Sequence, residues 1–160
     1  MVPPCIVYQT SYLKHIPADR RGRRWRGLRS GREGLEIKDY TDDGLDTLLQ
    51  IIDKNGFTES CSVISFDRTV LDKVRERNDK VKLYALVSKL NKDNLKKCLD
   101  DPTIGVSFNG HKKINNENKI KQLQDAGVAL ACWTVDDKET MQKYYKMGIT
   151  TFVTNRIYKK

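Results

Sequence analysis

Histidine is nearly missing from this sequence: His15 and His111 are the two present among 160 residues. The four cysteines, Cys5, Cys61, Cys98 and Cys132, show no CxxC spacing and no histidine at metal-site distance, which excludes a zinc-type cluster. They also give no disulfide framework, so a reducing compartment, the cytoplasm, is expected. No run approaches the ~20 apolar residues that a membrane span needs. The opening Met1–Tyr8 stretch is broken by Pro3 and Pro4 and is too short for a signal-peptide core. Arg20-Arg21 and Arg23-Arg24 have no apolar run behind them, so they do not form an export signal. Membrane-spanning, secreted and collagen-like classes are therefore not expected. With 160 residues the chain can build one core. It is shorter than the ~250 residues of a typical complete (β/α)₈ barrel.

The net charge of +9 is unevenly spread. Seven arginines lie between Arg20 and Arg32, and the rest of the chain holds four more. Lysine, asparagine and aspartate dominate beyond that point, as in Asn115-Asn116-Glu117-Asn118. The Arg/Gly stretch has neither a 3.6 nor a 2.0 apolar period. We therefore expect residues 1–33 to be a basic, disordered tail, or a segment foreign to the domain. An arginine-rich arm with one aromatic, Trp25, also suits nucleic-acid backbone through phosphate pairing and base stacking. That alternative would make the chain an α/β domain with a nucleic-acid-binding tail; nucleic acid is not the partner we expect.

From Leu35 the text becomes regular. β-rich runs appear at 35–38, 61–66, 82–87, 104–108, 128–133 and 150–154, with helical spacing between them. Leu45, Leu48, Leu49 and Ile52 fall at i, i+3, i+4, i+7 and form one helix face. Val70, Leu71 and Val74 follow Asp67, a good N-cap. Asn91 or Asp93 starts a helix carrying Leu95, Cys98 and Leu99, and Asp136 or Asp137 starts the last, with Met141, Tyr144 and Tyr145. Glycines 56, 127 and 148 each end a helix and precede an apolar residue leading into a strand. Six strands with helical crossovers predict a parallel α/β architecture over residues 35–160. Periodicity alone leaves a doubly wound sheet and a partial barrel equally open.

Two places carry chemistry. On Leu35-Glu36-Ile37-Lys38, period 2 sends Glu36 and Lys38 to one face. Two charges on a covered face are costly unless paired or functional; on a surface edge they would simply be solvated. Trp133, at a strand end before Asp136-Asp137, is positioned either as core or at the strand-end mouth where α/β folds bind ligands.

Four blocks in order, Leu35–Lys38, Val63–Asp67, Gly127–Asp137 and Met147–Asn155, resemble the C-terminal part of glycerophosphodiester phosphodiesterases. The Trp133-Thr134-Val135-Asp136-Asp137 block is the specific part. The resemblance implies a partial TIM (β/α) barrel of about six parallel strands that lacks the N-terminal barrel strands. It implies hydrolysis of glycerophosphodiesters to an alcohol and glycerol 3-phosphate, in lipid and glycerol metabolism, with Ca²⁺ or Mg²⁺. On this resemblance Glu36 is a metal-ligand carboxylate and Lys38 meets phosphate oxygens. Trp133 walls the glycerol pocket and Phe66 lines the same mouth. The family's His-Arg-Gly, Glu-x-Asp and His-Asp motifs have no counterpart here, and neither His15 nor His111 matches a motif position. The expectation is a fragment with no catalytic residues of its own, inactive alone. An arc of six strands would also leave two exposed parallel edges, so self-association through them, or a role as a binding module, is the alternative.

Overall fold

The computed structural model describes residues 5–9 and 32–155. Strands β1 (Cys5–Gln9), β2 (Arg32–Glu36), β3 (Cys61–Ser65), β4 (Lys82–Val87), β5 (Gly105–Asn109), β6 (Leu130–Trp133) and β7 (Thr151–Thr154) form one sheet. From β2 onward they alternate with helices α1 (Asp42–Lys54), α2 (Arg68–Arg77), α3 (Lys92–Asp100), α4 (Glu117–Asp125) and α5 (Lys138–Lys146). Each strand pairs in parallel with the next, and β1 also pairs with β7. The result is a closed (β/α) barrel. Of the two architectures that periodicity allows, the chain adopts the barrel, and each of the six expected strands is present within three residues of its reading.

The differences lie at the N-terminal side. β1 and the start of β2 fall inside the segment expected to be a tail, whereas residues 10–31, with most of the arginines and His15, lie outside the described residues. The expected exposed edges are not seen. Val7 pairs with both Arg32 of β2 and Val153 of β7, so both ends of the six-strand arc are hydrogen-bonded to β1. A barrel has no edge left to pair with another chain.

The helices form for local reasons. Thr41, Asp67, Asn91, Asn116 and Asp137 each accept a backbone N–H from two or three residues on, satisfying a donor with no partner within the helix. Leu45, Leu48, Leu49 and Ile52 of α1 and Val70, Leu71 and Val74 of α2 are buried. They pack in one cluster with the outward strand side chains Val63, Leu83, Val106, Phe108, Cys132 and Phe152. Phe108 meets Tyr144 of α5 edge-on, with centroids 5.3 Å apart. Because side chains alternate along a strand, the intervening residues Glu36, Ile64, Leu86, Ser107, Trp133 and Val153 face the barrel interior. No helix among the described residues is long and apolar enough to cross a membrane.

Candidate functional site at the strand ends

The C-terminal ends of β2, β3 and β6 bring together the four residues singled out from the sequence. Glu36, Lys38, Phe66 and Trp133 line one cavity of about 210 Å³, with Ile64, Leu86 and Val153 as its apolar floor. Glu36 is the last residue of β2, and Lys38 lies just beyond the strand. The Ser65 hydroxyl fixes this corner: it donates to the Ile37 carbonyl at 2.8 Å and accepts from the Asp67 amide at 3.1 Å. That one side chain ties the end of β2 to the start of α2 and leaves Phe66 between them at the mouth, 60% exposed. Lys38 Nζ stands 3.7 Å from Glu36 Oε1; the lysine side chain is 62% exposed and the glutamate 10%. A pair so open at one end contributes about 0–1 kcal/mol, so an incoming anion can compete for the lysine at small cost.

Trp133 is held on every side. Its indole Nε1 donates to the Ser107 carbonyl at 2.8 Å, and its ring meets Phe66 edge-on, with centroids 5.8 Å apart. Its own carbonyl accepts from the Gly110 amide at 2.8 Å. His111 Nε2 lies 2.8 Å from the Thr134 carbonyl, which makes it the donor there. Downstream, the Val135 amide donates to the Val153 carbonyl. The Asp136 carboxylate accepts from the Thr154 hydroxyl and from both the amide and the side chain of Asn155. Asp136 is thus a brace between β6 and β7, and Asp137 is the N-cap of α5. The Trp133–Thr134 peptide is cis.

Three participants were not legible from the sequence. His111 reads as a surface loop residue and is exposed, yet its ring supports the mouth of the cavity. Ser107 sits behind Trp133 with its hydroxyl buried and unbonded. Asn115 is 3% exposed, and its amide bridges the Leu90 amide, the Ser88 carbonyl and the Asn109 carbonyl. It joins the loop after β4 to the loop after β5. Its signal is hidden because it stands in a run of polar residues that reads as solvated loop.

Glu36 is the one carboxylate on this cavity among the described residues, and no three His, Cys, Asp or Glu side chains there come together as a metal-holding group. Ca²⁺ takes six to eight oxygen ligands and Mg²⁺ an octahedron. One carboxylate beside a lysine does not fit either ion as a resident group.

The family model described as glycerophosphoryl diester phosphodiesterase matches residues 31–159. The chain belongs to that family. The fold agrees with solved glycerophosphodiester phosphodiesterase structures. A Parabacteroides distasonis enzyme of that class superposes with a TM-score of 0.61 at 19% identity, covering 77% of this chain and 52% of the other. An Oleispira antarctica phosphodiesterase, solved with the product sn-glycerol-3-phosphate, superposes with a TM-score of 0.63 at 14% identity, over 78% and 51%. A Galdieria sulphuraria protein assigned to the class gives 0.65 at 18% identity, over 78% and 54%. The chain therefore spans about half the length of these glycerophosphodiester phosphodiesterases. No curated protein matches its sequence.

Proposed function

We propose that this chain binds the glycerol phosphate part of a glycerophosphodiester at its strand-end cavity and does not hydrolyse it unaided. The observation that carries the reading is the convergence of Glu36, Lys38, Phe66 and Trp133 on one small cavity at the C-terminal mouth of the barrel. Lys38, whose side chain is exposed at the mouth, meets the phosphate as a point charge. The Trp133 ring, pinned by its indole N–H, gives the glycerol carbons a flat apolar wall. Phe66 extends that wall at the mouth, its ring edge-on to Trp133. Glu36 offers one oxygen toward Ca²⁺ or Mg²⁺, and a metal site would need further ligands from elsewhere.

Hydrolysis of a phosphodiester needs a group to activate the nucleophile and an acid for the leaving alcohol. Glu36 and Lys38 do not make that pair, and His111 is committed to a backbone carbonyl. The role we assign is substrate recognition within lipid and glycerol metabolism. The cytoplasm is the compartment we assign, because Cys98 and Cys132 are buried thiols of the kind a reducing environment preserves.

The test has two arms on the full chain. With glycerophosphocholine and Ca²⁺ or Mg²⁺, release of glycerol 3-phosphate should not exceed that of Glu36→Ala; turnover above that control and abolished by chelator would overturn the lack of hydrolysis. In a Trp25→Phe background, sn-glycerol 3-phosphate should change Trp133 fluorescence, and Lys38→Ala should remove the change. A chain whose amide spectrum is unmoved by millimolar glycerol 3-phosphate would overturn the binding role.

A further inference from the structure

The opposite mouth of the barrel holds a second and larger cavity, of about 500 Å³. It opens at the N-terminal ends of the strands, away from Glu36 and Trp133. Arg75 at the end of α2 lines it, with Lys80, Lys82, Tyr84, Thr103 and Thr151. The glycine at the start of β5 lets the Tyr84 ring pack directly against the backbone at this mouth. A Cβ at Gly105 would lie 2.6 Å from the Tyr84 ring and 3.0 Å from the Ala129 carbonyl.

The charges at this mouth differ from those elsewhere on the same helix. Lys73 and Arg77 of α2 are neutralised by Asp42 and Asp46, and Arg68 by Asp101. The Lys80 and Lys82 side chains make no ion pair or hydrogen bond among the described residues. The Arg75 guanidinium donates through Nη1 to the Asp79 carbonyl at 2.8 Å, which orients it, and its Nε is buried without an acceptor. It is thus a partly desolvated cation with a neutral partner. Among the described residues, three cations face the cavity against one carboxylate, that of Asp79. Such a wall raises the local concentration of anions and favours one that can accept from several donors at once.

We propose that this mouth is a binding site for a phosphate monoester dianion. Lys80 and Lys82 supply charge, the Arg75 guanidinium supplies a planar donor, and the Thr151 hydroxyl supplies a neutral donor. The alcohol part of the ester lies against the Tyr84 ring, which packs on the backbone at Gly105. A cavity of this size falls in the range of small-molecule sites, roughly 300–1,000 Å³. The proposal does not depend on the reading of the strand-end cavity, because the two sites share no residue.

The experiment is an amide-resolved NMR titration of the full chain with inorganic phosphate, with sn-glycerol 3-phosphate and with adenosine 5′-monophosphate. Shifts at Thr103, Gly105 and Thr151 under any of the three are the expected result, and shifts at Lys38 and Trp133 with sn-glycerol 3-phosphate report the strand-end cavity separately. A tighter ester than inorganic phosphate would show that the alcohol part is read as well. The double variant Lys80→Gln, Lys82→Gln alters two exposed side chains and should weaken binding about tenfold or more. Lys38→Ala should leave this site's affinity unchanged. Should the double variant fail to fold, Thr151→Val takes its place, with a smaller loss expected. Shifts confined to Lys38 and Trp133, binding unaffected by the double variant, or no shift at millimolar phosphate would each overturn the proposal.

Discussion

Asn115 shows what a single polar residue does in this molecule. One side chain satisfies a buried amide and two carbonyls from two different segments of the chain, and truncation would strand all three. Asn115→Ala should destabilise the fold by about 3 kcal/mol, read as a lower urea midpoint with an unchanged slope. Nothing in its sequence context announces this, because burial depends on which loops meet. The alternation that sends Glu36 and Lys38 to one face, by contrast, is a property of the strand itself and is readable before any fold is known. Trp133 stands between these cases. Its place at a strand end was visible, but its choice between core and mouth depended on the Ser107 carbonyl across the sheet.

The helices carry their instructions locally, which is why they were legible. Asp67 reads as a cap and is one; for the last helix the adjacent Asp136 and Asp137 are equivalent in sequence, and only the β7 partners of Asp136 separate their roles. The caps differ in a way that pH exposes. The Thr140 amide holds the Asp137 carboxyl below the usual carboxylate range. A depressed folded-state value means that the contribution is fully present above the unfolded value of ~3.9 and is lost as pH falls through the folded value. Asp137→Ala should therefore destabilise at pH 7 and converge on the parent in strong acid. Asn91→Ala, which removes an uncharged cap, should cost about 1 kcal/mol at both ends of that range. Thermal melts across the acid range distinguish the two. At the other end of α4, Gly127 adopts φ +76° with open space around it. Gly127→Ala should cost about 1 kcal/mol through backbone conformation alone, visible as a lower melting temperature without any change at the cavity.

At the scale of the molecule, closure depends on β1, and this is where the sequence was least legible. Cys5-Ile6-Val7-Tyr8 is a plausible strand, but it follows two prolines and precedes a long basic stretch without period. Its second partner, β7, lies at the far end of the chain. No local pattern encodes a pairing so remote. Removing residues 1–9 should leave the facing sides of β2 and β7 unpaired and drive concentration-dependent self-association, seen by light scattering. A truncated chain that stays monomeric with the parent's urea midpoint would show that β1 adds nothing to the barrel.

The pairing of β1 with β7 also has a consequence in time. Residues 5–9 are made well before residues 151–154, with which they pair. At ~5–20 residues per second, the interval between them is roughly 10–30 s. Over that interval the first strand must wait beside β2 with its outer side open, and the ring cannot shut until β7 has been made. The most vulnerable period of the barrel is therefore spent on the ribosome.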